Sequence, residues 1–192
     1  MQIKGFFFDL DGTLVDSKLD FDLMREDLAF PEGVPILEHI DTLTDPNHIK
    51  RSHEIVHQHE LKGAIESELI FGVIEFLNSI KEKNYPTAIL TRNSRECSEL
   101  MIKKHSLVVD HVITREDFPP KPKPDALLHL AKINNLEPCE CIYIGDFAFD
   151  IEAARNAGMK AGLILTKDNE SFKERADIYF KDYLELKNQL SL

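Results

Sequence analysis

Two aspartates separated by one residue follow three consecutive phenylalanines near the start of the chain, in the stretch FFFDLDGTLVDS at residues 6–17. The apolar run predicts a buried strand, so Asp9 and Asp11 are expected where this strand ends. Carboxylates buried there are costly without a ligand, and Gly12 allows a turn sharp enough for both to face the same one. The pair is therefore a candidate nucleophile, Asp9, and a candidate acid and base, Asp11.

Further polar residues follow other apolar runs in the second half of the chain. Thr91 follows the run PTAIL, Asp146 follows CIYIG, and Asp150 is placed four residues later on the first turn of a predicted helix. The segment KPKP precedes another predicted helix and contributes Lys121 and Lys123. Because parallel strands bind ligands at their carboxyl ends, these residues are expected to converge with the two N-terminal aspartates.

Several carboxylates at one edge of a sheet would repel one another strongly unless a cation lay among them. Oxygen ligands without histidine favour Mg²⁺ over zinc, and Mg²⁺ held by few carboxylates usually completes its shell with water and a substrate phosphate. The set therefore predicts phosphoryl transfer, in which Thr91 bonds a phosphoryl oxygen and Lys121 neutralises charge. Asp146 completes the metal site, and Asp150 is a further ligand or an anchor behind it.

The elements that must position these residues follow from a regular alternation after residue 86. Strands are predicted, besides the first one at FFFDL, at 86–90, 110–114, 141–145, 161–165 and 177–180. Helices are predicted at 94–105, 124–134 and 148–157, with Asn93 and Glu96 as a capping box for the first and Pro124 in the first turn of the second. This alternation predicts an α/β fold, a doubly wound, Rossmann-like parallel sheet with helices on both faces.

Residues 16–80 carry helical periodicity and almost no strand pattern. Helices are predicted there over 19–30, 34–43, 46–63 and 66–83. Such a region is too long for a simple crossover connection. We therefore expect a small all-helical cap at 16–80, its last helix returning to the core, and an α/β core domain at 1–15 and 81–192.

Four stretches, in the order FFFDLDGTLVDS, AILTRNS, KPKPD and IYIGDFAFDIEAARNAGM, resemble the four motifs of the haloacid dehalogenase superfamily of hydrolases. They span nearly the whole chain. Within that superfamily the chain looks most like the phosphoglycolate phosphatase-like enzymes, and its helical insertion resembles their small cap.

The resemblance implies a role for each motif residue. Asp9 would be the nucleophile, Asp11 the acid and base, and Thr91 and Lys121 the phosphate contacts. Lys121 is chosen over Lys123 because the family pattern is Lys-Pro-x-Pro followed by an acid, which KPKPD meets. The implied Mg²⁺ ligands are Asp9, Asp146, Asp150 and, through its backbone carbonyl, Asp11.

Other residues near the motifs have open interpretations. Phe147 departs from the family, which commonly has a small hydroxyl residue after this Gly-Asp pair, so the polar contribution of that residue is missing. Arg92 reaches the substrate or pairs with surface acids. Arg25 and Arg51 in the insertion are hypothetical contacts to the leaving group.

Histidines cluster on one predicted helix of the insertion. His53 and His57 are four residues apart, and His59 and Glu60 follow, a spacing that permits a metal site. No third ligand is placed by this spacing, so a solvated polar face is the favoured interpretation.

Composition and charge limit the classes of protein to which this sequence can belong. The net charge of −11 at pH 7 is spread over 192 residues, without the basic footprint that nucleic-acid binding requires. No apolar stretch suits a signal peptide or a membrane span. Cys97, Cys139 and Cys141 do not suggest disulfides, and the last two are interpreted as small buried residues. We expect a cytoplasmic protein, a monomer or homodimer, with no nucleic-acid or membrane partner.

The leading functional hypothesis is a Mg²⁺-dependent phosphatase that hydrolyses a small phosphorylated metabolite, a phosphomonoester, through an aspartyl-phosphate. A phosphomutase would use the same residues, and the sequence does not separate the two. A dehalogenase is disfavoured because displacing halide requires no acid such as Asp11. A receiver-like signalling protein is disfavoured by the large insertion and by a second acid that would hasten dephosphorylation.

Overall fold

The computed structural model describes residues 3–192, which divide into two compact units. One is an α/β unit formed by the residues up to 16 together with Glu68–Leu192, and the other is a helical unit, Ser17–Ser67. The helical unit therefore ends at 67, before the expected boundary at 80. The helix that follows it packs within the α/β unit and belongs there.

The described residues form the following elements. The strands are β1 Gly5–Phe8, β2 Val15–Asp16, β3 Glu68–Leu69, β4 Thr87–Leu90, β5 His111–Ile113, β6 Cys141–Gly145, β7 Lys160–Ile164 and β8 Ile178–Phe180. The helices are α1 Phe21–Leu28, α2 Ile36–Asp41, α3 Pro46–Glu66, α4 Val73–Glu82, α5 Arg95–Lys104, α6 Asp125–Ile133, α7 Ala148–Ala157 and α8 Tyr183–Leu190. Two 3-10 turns, Pro138–Glu140 and Glu170–Arg175, precede β6 and β8.

One six-stranded sheet has the order β5-β4-β1-β6-β7-β8. All its neighbouring strands are parallel, which confirms the predicted doubly wound α/β fold. The first strand is central, between β4 and β6, so their carboxyl ends lie at one edge.

Two short strands, β2 and β3, pair antiparallel in a separate sheet. The helix predicted over 66–83 is wrong in its first part, because β3 occupies Glu68–Leu69 and α4 begins only at Val73. Gly72 precedes α4 with a φ of 83°. This left-handed conformation interrupts the helical path and suits glycine.

The three phenylalanines of β1 are buried because both faces of this strand are covered. Phe6 and Phe8 pack edge-on against Phe76 of α4, and Phe76 in turn contacts Tyr183 at the start of α8, with ring centroids 5.1 Å apart. Phe7 points to the opposite layer and joins the core beneath α6 and α7. Each buried aromatic side chain contributes roughly 1.5–3 kcal/mol to folding, so the strand that ends at the acidic pair is firmly held.

The helical unit has its own small core. The Asp20 carboxylate accepts hydrogen bonds from the backbone amides of Asp22 and Leu23 and so starts α1. Apolar side chains of α1, α2 and α3 then pack together, among them Met24, Ile40, Val56 and Leu28.

Across residues 3–192, the structure contains no helix with the length and apolar character needed to cross a bilayer.

The cysteines differ in environment. Cys97 and Cys141 are buried, whereas Cys139 is exposed in the turn Pro138–Glu140. The interpretation of Cys139 as a buried residue is therefore wrong, because this turn lies at the surface ahead of β6. Burial raises the pKa of the Cys141 thiol to about 12.

Candidate active site

Three carboxylates meet at the carboxyl edge of the sheet. Asp9 follows β1, Asp146 follows β6, and Asp150 lies in the first turn of α7. One oxygen of each lies within 4.8 Å of the others. Among residues 3–192 this is the only group of three or more acidic, histidine or cysteine side chains gathered so closely.

Two glycines leave room for these carboxylates. Gly12 has a φ of 71°, and a Cβ atom built there would overlap the carboxylate of Asp146. A Cβ atom on Gly145 would overlap the side chain of Asp150. Glycine is therefore required at both positions for the acidic side chains to approach one another.

A single lysine reaches into the acidic group. Lys121, from the loop between β5 and α6, is only 4% exposed. Its Nζ lies 2.9 Å from Asp9 Oδ2 and 2.7 Å from Asp150 Oδ1. Lys123 is exposed, so the structure places the first lysine of KPKP, and not the second, among the carboxylates. The helix α6 begins at Asp125, one residue later than predicted, so Pro124 directly precedes the helix instead of lying in its first turn.

Tyr143 is a buried partner of this lysine that sequence reasoning missed. Lys121 Nζ donates to the phenol oxygen at 2.9 Å, and the phenol donates to the Leu90 carbonyl oxygen at 2.8 Å. The phenol therefore connects the middle of β6 to the end of β4 beneath the acidic group. The available sequence signal was a polar atom within the otherwise apolar run CIYIG.

The charges at this site are unbalanced. Burial raises the pKa of Asp9, Lys121 lowers it in part, and the charge of Asp150 raises it again. Burial, with Asp150 and Asp9, likewise raises the pKa of Asp146. Burial lowers the pKa of Lys121, but the carboxylates outweigh it and the net shift is upward. Lys121 is thus held protonated, and one ammonium does not neutralise three ionised carboxylates.

The second aspartate of the N-terminal pair has a separate partner. Asp11 Oδ2 accepts a hydrogen bond from Asn93 Nδ2 at 2.8 Å. The prediction that Asn93 caps α5 is wrong, because the N-cap is Ser94, whose hydroxyl accepts from the Cys97 amide at 3.4 Å. Asn93 precedes the cap and its side chain is directed to Asp11.

Thr91 and Arg92 follow β4. Thr91 is buried, and its hydroxyl oxygen accepts from the backbone amide of Asn93 at 3.1 Å. The guanidinium of Arg92 lies over the ring of Phe149 at 5.1 Å, and its Nη1 is 3.5 Å from the carbonyl oxygen of Lys121. Arg92 is thereby placed beside the loop that carries the buried lysine.

Phe147, the departure from the family pattern, is half exposed and packs against Phe149 and Phe172. Its backbone amide donates to Asp150 Oδ2 at 3.0 Å. This contact is independent of the side chain at 147, so the missing hydroxyl does not release Asp150.

Asn169 is another residue that sequence reasoning missed. Its Nδ2 donates to the carbonyl oxygens of Asp146 at 2.7 Å and Ile164 at 2.9 Å, and its Oδ1 accepts from the Thr166 amide at 2.9 Å. The side chain is buried and links the ends of β6 and β7. It thereby fixes the backbone on which Asp146 is carried.

Comparison with known proteins identifies the family. The family described as haloacid dehalogenase-like hydrolase matches residues 21–164, which is most of the chain. The protein belongs to this family. Among similar proteins are an uncharacterised hydrolase of Saccharomyces cerevisiae, 30% identical over 96% of this chain and 89% of its own length, and a phosphoglycolate phosphatase of Chromobacterium violaceum, 30% identical over 83% of each.

The solved structures agree with this assignment at the level of the fold. A hydrolase from Pseudomonas syringae has a TM-score of 0.80, with 21% identity and 98% of each chain covered. The family and its phosphatase-named members support phosphoric monoester hydrolysis as the activity of this hydrolase.

The two arginines of the helical unit, Arg25 and Arg51, are the hypothetical contacts to the leaving group. Arg25 of the hydrolase donates from Nε to the Val34 carbonyl oxygen at 2.9 Å and pairs with Asp22 at 2.7 Å. Arg51 is exposed on α3. Both contacts of Arg25 lie within the helical unit, and the one with Val34 holds α1 to the segment before α2.

The histidines of α3 do not form a group of three ligands with neighbouring acids or cysteines in the part of the chain that the structure describes. His59 Nε2 lies 2.8 Å from Asp27 Oδ2 on α1. His53 is exposed and His57 is half-buried. The favoured interpretation of a solvated polar face fits the exposed His53 but not Glu60, which is buried.

Proposed function

We propose that this hydrolase is a Mg²⁺-dependent phosphatase that transfers the phosphoryl group of a small phosphomonoester to Asp9 and then to water. The observation that carries the proposal is the buried ammonium of Lys121, held between Asp9 and Asp150 with the Asp146 carboxylate nearby. A carboxylate nucleophile, a fixed cation and a set of oxygen donors are the parts that phosphoryl transfer requires.

The donor set fits Mg²⁺. Three carboxylates, one buried and two partly buried, and one ammonium leave two uncompensated negative charges when all are ionised, and every donor is an oxygen. Asp9 and Asp146 would hold the ion, with Asp150 as a further ligand or anchor and with the backbone carbonyl of Asp11. The chemistry that bound Mg²⁺ supplies is neutralisation of the carboxylates and of the phosphoryl oxygens.

The residues of the chain perform the transfer itself. Asp9 is oriented by the Leu10 amide, which donates to Oδ1 at 2.7 Å, and by Lys121 at Oδ2. An Asp9 oxygen attacks phosphorus, and the leaving oxygen takes a proton from the Asp11 carboxyl. Water then attacks the phosphorus of the aspartyl-phosphate, gives its proton to Asp11, and restores the Asp9 carboxylate. In both steps Thr91 binds a phosphoryl oxygen, and Lys121 neutralises charge on Asp9.

The proposed substrate is a small phosphorylated metabolite. Support comes from the family and from a relative named for phosphoglycolate. In this proposal the helical unit acts as the cap that selects the substrate, a role suggested by its position in sequence between the first two motifs. Cytoplasmic location and a monomeric or homodimeric state stay predictions.

Release of inorganic phosphate tests the proposal. The purified protein is incubated with p-nitrophenyl phosphate and with a panel of small phosphomonoesters, in EDTA and then in excess Mg²⁺. We expect steady phosphate release that EDTA stops and Mg²⁺ restores. Indifference to chelation would contradict the metal site, and conversion of a sugar phosphate to its isomer without phosphate release would indicate a phosphomutase instead.

A further inference from the structure

The side chain of Asn93 is held by hydrogen bonds at both of its polar atoms. Its Oδ1 accepts from the Ser94 amide at 2.8 Å, and its Nδ2 donates to Asp11 Oδ2 at 2.8 Å. The backbone N–H of Asn93 donates to the Thr91 hydroxyl at 3.1 Å. Because the Ser94 N–H must meet an oxygen, the orientation of the amide is determined, and its NH₂ group faces Asp11.

Helix capping does not account for this arrangement. Asn93 is 5% exposed, so its amide needs partners. The N-terminus of α5 is capped by Ser94, whose hydroxyl accepts from the Cys97 amide. The hydrogen bond to Asp11 joins residues 82 positions apart and links the end of β4 to the turn after β1. It holds the carboxyl of the Asp9 and Asp11 pair that lies outside the three-carboxylate group.

We infer that Asn93 is the positioning residue that holds Asp11 in place for proton transfer to the leaving group. This inference rests on the proposed function. A carboxyl whose Oδ2 accepts the amide N–H carries its own proton on Oδ1, so the hydrogen bond selects which oxygen delivers it. In the first step the bond from Asp9 to phosphorus forms, the bond from phosphorus to the leaving oxygen breaks, and that oxygen takes the electron pair and the Asp11 proton.

If Asn93 positions Asp11, its loss should affect substrates differently according to their leaving group, which a loss of packing alone would not do. A nitrophenolate leaves readily without a proton, whereas a phenolate or alkoxide leaves poorly unless it is protonated as the bond breaks. Loss of the Asn93 amide is therefore expected to slow poor leaving groups more than good ones. The relevant quantity is kcat/KM, because it reports the steps through phosphorylation of Asp9.

The test compares p-nitrophenyl phosphate with phenyl phosphate in the full-length protein with Mg²⁺. Asn93→Ala removes both hydrogen bonds of the side chain, and Asn93→Asp keeps an acceptor for the Ser94 amide but removes the donor to Asp11. For both variants we expect the ratio of kcat/KM for nitrophenyl over phenyl phosphate to rise about tenfold, a part of the roughly 10²–10⁴ that a general acid contributes.

Ser94→Ala is the matched control. It removes the helix cap of the neighbouring residue and leaves the Asn93 amide facing Asp11. We expect a lower melting temperature and an unchanged substrate ratio in this variant.

Three results would decide against the inference. An unchanged ratio in folded Asn93→Ala and Asn93→Asp would overturn the positioning role while leaving the proposed function intact. If the ratio rose in Ser94→Ala as much as in the Asn93 variants, the effect would come from loosened packing, and the positioning role would be overturned too. Failure of the unmodified protein to hydrolyse either ester would overturn the proposed function and the inference with it.

Discussion

The ammonium of Lys121 lies 2.9 Å from Asp9 Oδ2, in a site where both side chains are largely removed from water. The same ammonium donates to Tyr143 and to Asp150, so its three protons have three partners. A lysine fixed in this way cannot move away from Asp9, the proposed nucleophile, without leaving unpaired charge behind. Lys121 is therefore expected both to stabilise the fold at this site and to neutralise charge on Asp9.

Replacement of the buried lysine is predicted to affect stability as well as activity. Lys121→Met leaves Asp9 and Asp150 without their counter-ion, so we expect the free energy of unfolding to fall by about 3 kcal/mol and phosphatase activity to be lost. Urea denaturation and phosphate release measure the two effects. The control is Lys123→Met, an exposed position where both should change little. Equal stability of the two variants would contradict the buried charge network.

The Tyr143 phenol is predicted to hold this lysine. In Tyr143→Phe, Lys121 loses an acceptor and the Leu90 carbonyl loses a donor, so we expect a stability loss of about 1–3 kcal/mol. A looser lysine should lower kcat by about tenfold. The control is Tyr179→Phe, an exposed tyrosine of β8. Loss of activity to the same extent in both variants would exclude a specific role for Tyr143.

The strand-end residues of the site could be predicted because their signal is local. A short apolar run followed by a polar residue marks a strand end, and Asp9, Thr91 and Asp146 follow β1, β4 and β6 as expected. The predicted sheet then brings these ends to one edge without further information.

The supporting residues could not be predicted, because their partners are distant in the sequence. Asn93 meets Asp11 across 82 positions, and Lys121 meets Tyr143 across 22. A local pattern assigns Asn93 to a helix cap, and only the assembled fold gives it another partner. The last helix of the insertion was expected to return to the core, and α4 packs within the α/β unit, but the helical periodicity of 73–82 does not mark the end of the helical unit at residue 67.

Mg²⁺ binding is predicted to depend on pH. Burial raises the pKa of Asp9 to about 7 and that of Asp146 to about 8 in the metal-free protein. Both values lie well above the pKa of an aspartate in an unfolded chain. Raised pKa values make the metal-free fold lose stability as the pH rises from the unfolded pKa of 3.8 to the folded values of about 7 and about 8, because the ionised carboxylates are then buried. The ion binds the ionised forms, so the rise in melting temperature that Mg²⁺ produces should be larger at a pH of about 8.5 than at about 6.

Differential scanning fluorimetry with and without Mg²⁺ measures this effect. Asp146→Asn is the control, because it removes one of the proposed ligands and one of the titrating groups. Its response to Mg²⁺ should be small at either pH. An equal shift at both pH values in the unmodified protein would argue against metal binding by these carboxylates.

The most direct test of the account is the turnover of p-nitrophenyl phosphate by Asp9→Asn in saturating Mg²⁺. The variant should stay folded, because the raised pKa of Asp9 means that its ionised form is disfavoured in the metal-free fold and a neutral isostere imposes no such cost. We expect its phosphate release to fall to the background of a sample without enzyme. Turnover by the folded variant at a rate near that of the unmodified protein would remove Asp9 as the nucleophile.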